Sequence, residues 1–197
     1  MKNLSKIASL ILITGMSFGA ISCKNSNDKE EPAEPISNEM HQEGTDGSET
    51  VSKNGSNQAA ANVLGNYLNI KNALVKDDQE AAANAGGRLA ESLGEFNKAS
   101  YSSEEQQELT DIIEDAKEHA EHISESAIAH QREHFDILSK DMIDMIAITG
   151  TNRKLYQAYC PMYNDNKGAQ WLSTEKEIQN PYMGSKMPGC GEVQKEI

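Results

Sequence analysis

From Gln58 to Thr149 the apolar residues recur every three or four positions, and this period limits the chain more than any other feature. Val63, Tyr67, Ile70 and Leu74 form one stripe, and no alternating strand pattern competes with it. Asp77 and Asp78 can cap a second helix, whose inner face carries Ala82, Leu89, Leu93 and Phe96. Gly86-Gly87 in its middle weakens helix propensity by about 1–2 kcal/mol, so a kink or a close helix crossing is expected there. Ser102 with Glu105 fits a capping box. It opens a third helix with Leu109, Ile112, Ile113, Ala116, Ala120 and Ile123 facing inward. An interruption at residues 124–126 precedes a fourth stripe of Ile128, Phe135, Leu138, Met142 and Ile146, which Gly150 ends. Four helices with short connections predict a mainly α fold, an up-and-down antiparallel bundle.

The N-terminal segment cannot join that bundle. Lys2 and Lys6 precede an apolar and small-residue run from Ile7 to Ile21. At about 15 residues the run is short for a bilayer-spanning helix but normal for the core of an export signal. It closes on Ala20-Ile21-Ser22-Cys23, which resembles a bacterial lipobox: the cysteine thiol takes a diacylglyceryl group and cleavage leaves a lipidated N-terminus. Residues 1–22 are thus expected to be a signal peptide and Cys23 the lipidation site, tethering the protein to a membrane. The competing reading is a plain secretory signal that contains Cys23. Residues 24–56 hold eight acids, three lysines, Pro32 and Pro35 and almost no aliphatic pattern. Low hydrophobicity with excess like charge predicts a disordered acidic tether over 23–56, leaving 57–197 as the folded domain. The acids soon after Cys23 look like signals for surface display.

The chain carries 31 acidic and 18 basic side chains, a net charge of −13. Residues 57–149 hold eighteen of the acids against seven bases, whereas 150–197 hold five against six. The acidity therefore belongs to the tether and the helix surfaces, where such runs are solvated. Nucleic acid is excluded as a partner, since it requires clustered Lys and Arg.

After Gly150 the helical period disappears. Residues 153–193 contain four of the six tyrosines, the only tryptophan, two of the three cysteines and three of the eight methionines. So many aromatic residues need burial, yet the segment has neither helix nor strand rhythm. Residues 151–197 are expected to form an ordered, irregular arm packed on the helices through Tyr156, Tyr159, Trp171 and Tyr182. Two of its segments carry chemistry: Tyr159-Cys160-Pro161-Met162, and Met183 to Gly191 with Met187 and Cys190. Thiolate and thioether are soft donors whose pairing favours Cu(I) over hard ions. Pro and Gly beside them suit tight turns that aim side chains inward. Cys160, Met162, Met187 and Cys190 could then supply three or four ligands. The same two cysteines, in an exported compartment, could equally form a disulfide worth roughly 3–4 kcal/mol. The spacing leaves both readings open.

Four histidines lie on the last two helices. His119 sits about 80° and His134 about 100° from the centre of its apolar stripe, so both flank the core and could reach an arm packed there. His122 and His130, nearer 140° away, are expected to face solvent. No nucleophile elbow, paired-carboxylate spacing or Gly-rich phosphate loop is visible, and neither cysteine stands at a helix start that would activate it. The chain is not read as an enzyme.

The arm's motifs also resemble a known family. Tyr159-Cys160-Pro161-Met162, Gly168-Ala169-Gln170-Trp171-Leu172-Ser173, Ile178-Gln179-Asn180-Pro181-Tyr182, Gly184, Met187 and Cys190-Gly191-Glu192-Val193 are similar to an exported bacterial family, domain of unknown function 3347. In the helices, Tyr67-Leu68, Lys71 to Val75, Asp77-Asp78 and Gln131-Arg132-Glu133-His134-Phe135 with Leu138-Ser139 look like the same family. The resemblance implies a periplasmic or lipid-anchored protein in the envelope of a Gram-negative bacterium. It also implies a domain of the kind fused to, or encoded beside, adaptor subunits of heavy-metal efflux pumps. That context favours a soft metal, copper foremost, held by Cys160, Met162, Met187 and Cys190, with His134 as a fifth candidate. Met183 stands where the family often has an aromatic residue. The reading that results is a lipid-anchored protein that sequesters copper or hands it to an efflux adaptor. The alternative is a structural or interaction module with a Cys160–Cys190 disulfide.

Overall fold

Each of the four stripes lies on a helix. The computed structural model describes residues 47–197, with side chains from Gln58 onward. The export segment, Cys23 and the tether up to residue 46 lie outside the described residues. The helices are α1 (Gly47–Val75), α2 (Gln79–Gly94), α3 (Ser103–Glu125) and α4 (Ile128–Thr149). α1 reaches back to Gly47, into positions assigned to the tether. Tyr67, Ile70 and Leu74 of α1 are fully buried, as are Leu89 of α2, Leu109 and Ile123 of α3, and Phe135, Leu138 and Met142 of α4. No described helix is long and apolar enough to cross a membrane.

The ends form where the side chains predict. Asp78 accepts from the Ala81 N–H at 2.9 Å and starts α2. At α3 the Ser102 N–H donates to the Glu105 carboxylate at 2.8 Å, and the Glu105 N–H donates to Ser102 Oγ at 3.3 Å. Gly150, at φ 69°, closes α4 by donating to the Ile146 carbonyl. The break between α3 and α4 is bridged by Gln131, a buried side chain on α4. Its amide donates to the Ile123 carbonyl (3.0 Å) and the Gln79 carbonyl (3.1 Å), binding three helices at one end. α2 runs unbroken through Gly86 and Gly87. A Cβ on Gly86 would lie 2.8 Å from the Ala120 carbonyl oxygen, so the glycine serves a close crossing with α3 and no kink.

The arm differs from its expected irregularity: it contains a three-stranded antiparallel sheet. Strands β1 (Tyr156–Cys160), β2 (Ala169–Ser173) and β3 (Glu192–Glu196) lie in the order β2-β1-β3. The reason the sequence hides it is burial. Trp171, Leu172 and Ser173 are buried in succession on β2, while β3 is exposed along nearly its whole length. Neither strand alternates, and at five residues each is too short for a period to emerge.

Two polar junctions fix the arm to the helices. Tyr67 on α1 accepts the Leu172 N–H of β2 at 3.0 Å. Ser139 Oγ on α4 lies 2.9 Å from the Tyr67 hydroxyl and 3.3 Å from that of Tyr182, which donates to the Gln170 carbonyl. Around these hydroxyls, Tyr67 stacks on Phe135 at 5.1 Å, and Tyr182 meets Phe135, Tyr163 and Trp171. The second junction is Arg132 of α4. Its guanidinium donates to the Leu74 carbonyl at the end of α1, to the Pro181 carbonyl of the arm (both 2.9 Å), and to the Asp77 carboxylate. Asp77 also accepts the Ser185 N–H at 3.0 Å. The hydrogen bonds from Ser185 and Arg132 hold its carboxyl well below the usual carboxylate range.

Two outcomes follow. Gly87→Ala, with nothing within 4 Å of the new Cβ, should stabilise the fold by about 0.5–1 kcal/mol. Gly86→Ala should lose about 1–3 kcal/mol because backbone must move; urea unfolding of both variants measures the contrast. The depressed Asp77 carboxyl contributes stability that is present above the unfolded carboxylate pKa, near about 3.9, and is lost as pH falls through the folded value. Because this side chain is partly exposed, Asp77→Asn should cost only about 1–2 kcal/mol at neutral pH. It should also flatten the acid limb of a stability-versus-pH curve.

Candidate metal centre

Cys160 ends the central strand. Ala158 and Cys160 are the two buried residues of β1, as the pleat requires of alternate positions. Beyond Cys160 the chain turns through Pro161 and Met162 into a tight bend, Tyr163–Asn166, where Asn164, Asp165 and Asn166 all have positive φ. Asn and Asp tolerate that region better than other side chains, which explains the composition of the bend. The chain then returns as β2.

β3 delivers the second thiol from the other side. Tyr159 pairs with Glu192, so the residues just before β3 pass beside the end of β1. Gly191 sits at φ 130°, and a Cβ there would lie 2.7 Å from the Tyr159 carbonyl oxygen and 3.0 Å from the Trp171 ring. Only glycine lets the chain cross so close, and the crossing places Cys190 Sγ 2.8 Å from Cys160 Sγ. Cys160 is buried and Cys190 half-buried.

Asn180 holds this loop in place. It is fully buried, with no accessible surface. Its N–H donates to the Pro188 carbonyl (2.9 Å) and its side-chain amide donates to the Cys190 carbonyl (2.7 Å). Its Oδ1 accepts the N–H groups of Tyr182 (2.8 Å) and Met183 (3.0 Å). One side chain thus ties the thiol-bearing segment to the turn that Arg132 anchors. The Asn-Pro pair reads as a turn in the sequence, but nothing there shows that its amide organises the site.

The candidate ligands divide. Cys160 and Cys190 converge. Met187 is half-buried next to them, its carbonyl accepting the Cys190 N–H at 3.2 Å. Met162 is 51% exposed, while its backbone N–H donates to the Cys190 sulfur. Met183 is half-buried against the core. The Cys160 hydrogen bond, followed by burial and the repulsion of a second thiolate, pushes the Cys190 thiol up, against the lowering effect of the Met162 N–H. The Cys190 thiol is therefore protonated near neutral pH, and a cation must displace that proton to bind it.

His134 contacts other histidines. Its Nδ1 lies 2.9 Å from His119 Nδ1, its Nε2 lies 3.1 Å from His130 Nε2, and its ring stacks on His122 at 4.5 Å. His122 and His130 are exposed as expected, but they are not isolated in solvent: both meet His134. The single-helix angles miss this because α3 and α4 are neighbours joined at Ser126-Ala127, so outward positions near the turn face one another across the groove. Burial, then the other three histidines, lower the His134 pKa. Beside them, burial and the nearby Asp115 and Asp144 push the Asp141 carboxyl up to about 7. The Asp115–His119 spacing of four was the available signal for that second cluster.

A family model described as "Protein of unknown function (DUF3347)" matches residues 63–154. No curated protein and no solved structure matches the chain. The matched segment supports the family read from the sequence motifs and covers the bundle from Val63 to the residue before Leu155. It includes all four helical histidines and ends before β1, so Cys160 and Cys190 lie outside it.

Asn180→Ala should leave the N–H groups of Tyr182 and Met183 and the Cys190 carbonyl without partners, destabilising the protein by about 2–4 kcal/mol. Thiol labelling should show Cys160 and Cys190 reacting faster while the far-ultraviolet helix signal is retained.

Proposed function

We propose that this protein is a membrane-tethered envelope protein that binds a soft metal ion, copper foremost, and passes it to an efflux partner. The observation that carries the reading is the convergence of two thiols, one at the end of β1 and one just before β3, 2.8 Å apart, with the backbone of Met187 and Met162 hydrogen-bonded to Cys190. Two sulfurs brought together by the fold form a soft-donor pair for Cu(I), and the 2.8 Å contact must open to admit the ion between them. The exposed Met162 thioether fits a ligand that engages and releases the ion at the surface. The lipid anchor at Cys23 and the efflux adaptor enter this proposal from the sequence motifs.

A second reading rests on the same distance. Two thiols already in contact need little movement to form a disulfide, which would make the arm a cross-linked interaction module. Thiol labelling of protein taken from the native envelope separates the two, because a disulfide leaves no reactive thiol before reduction.

The reduced chain should bind one Cu(I), and Cys160→Ser and Cys190→Ser should each weaken binding at least a hundredfold. Met162→Leu should weaken it less. Because the Cys190 thiol is pushed up, bound protons compete with the metal at neutral pH, and apparent affinity should rise as pH rises toward the thiol's own titration. Competition with a chromogenic Cu(I) chelator between pH 6 and 9 measures both effects; equal, weak binding in wild type and Cys160→Ser would remove the proposal.

A further inference from the structure

The histidine cluster has a direction. His130 Nδ1 lies 2.6 Å from the Glu133 carboxylate, which can only accept, so His130 Nδ1 carries a proton. In a neutral ring the other nitrogen, Nε2, is then an acceptor. It must receive the proton of His134 Nε2 at 3.1 Å. That leaves His134 Nδ1 as an acceptor for His119 Nδ1–H at 2.9 Å. With three neutral rings the assignment therefore ends on His119 Nε2 as a bare lone pair. The reverse direction requires an additional proton on His130.

What that lone pair faces is a second set of lone pairs. His119 Nε2 lies 3.6 Å from the Asp115 carboxylate. One ligand atom each from Asp115, His119 and Asp141 fall within 4.8 Å of one another. Asp141 Oδ2 has no accessible surface and no hydrogen-bond partner. A nitrogen lone pair and two carboxylates converging on one point repel unless a proton or a metal cation lies between them.

We infer that Asp115, His119 and Asp141 form a binding site for a divalent transition-metal ion of borderline hardness, with Zn2+ as its representative, separate from the cysteine pair. One imidazole and two carboxylates are borderline and hard donors, unlike the sulfurs of the arm. Three protein ligands also leave a coordination position for water. The rest of the chain performs the orienting role that metal-bound histidines need. His119 Nδ1–H donates to His134, which fixes the ring and its tautomer, and His134 is fixed in turn by His130 and Glu133. Asp115 and His119 are one turn apart on α3, and Asp141 enters from α4, so the ion would link the two helices. Loading this site does not depend on the state of Cys160 and Cys190.

The test uses untagged full chain carrying Cys160→Ser and Cys190→Ser, titrated with Zn2+ by calorimetry and equilibrium dialysis. One equivalent is expected to bind. His119→Gln and Asp141→Asn in that background should each weaken it at least tenfold, and His122→Gln should change it less than threefold. No binding in the background protein, or unchanged binding in both ligand variants, would overturn the site. If a ligand variant fails to fold, long-range proton–nitrogen spectra of the histidine rings decide the matter in the background protein. Zn2+ should shift His119 Nε2 while His119 Nδ1 stays protonated; a shift confined to His122 or His130 would overturn the assignment.

Discussion

The arm is held by a hydroxyl junction that joins three elements in the interior. A three-stranded sheet of five-residue strands, one of them exposed on both faces, cannot hold its shape in water alone. It persists because Tyr67 and Ser139 bring polar groups through the helical core to meet the backbone of β2 and the Tyr182 hydroxyl. Burying these hydroxyls is tolerable only because each has partners, and with them satisfied the junction fixes one register of the sheet against the helices. Arg132 repeats the logic nearer the surface, satisfying a helix-end carbonyl and an arm carbonyl with one planar group.

Rigid support changes what the cysteines can do. The position of Cys160 follows from β1, and that of Cys190 follows from Gly191 and Asn180, so neither thiol relies on a ligand to find the other. In the proposed metal-binding role, thiols gathered in advance save part of the ordering entropy that a floppy cysteine tail would lose on binding. Of the neighbouring methionines, Met187 is half-buried and Met162 exposed. In the proposed metal-transfer role, firm thiols beside an exposed methionine suit an ion that has to leave again. The side chains of the histidine and aspartate cluster also stand on rigid elements, α3 and α4, and a chain of ring hydrogen bonds orients the histidines.

Much of the bundle was legible because its signals are local. The stripe through Tyr67 and Leu74, the Asp78 cap, the Ser102–Glu105 box and the Gly150 stop each act within four or five residues, the range over which sequence and helix geometry correspond. Gly86 was legible as an anomaly, and the structure decided between its two readings because a carbonyl of α3 lies in the way. The sheet was not legible: Trp171 and Leu172 are buried side by side, and Glu192 to Glu196 carry no apolar rhythm. The Cys160–Cys190 approach was named as a pair, yet its cause, a glycine crossing over Tyr159, is a tertiary fact. The meeting of His122 and His130 with His134 was missed for a related reason, since a helical wheel describes one helix and the contact belongs to two.

The pairing of β1 with β3 also has a consequence in time. Turns between successive helices close within a few residues, whereas Cys160 and Cys190 lie thirty positions apart. Chain-closure entropy makes such long-range pairings late events, after local helices have formed and given the arm a surface to dock on. During that interval both thiols are open to solvent and to any oxidant or ion present. Which chemistry the pair enters is then a race between docking and capture, and the speed with which the helices offer Tyr67 and Ser139 to the incoming strand sets its pace.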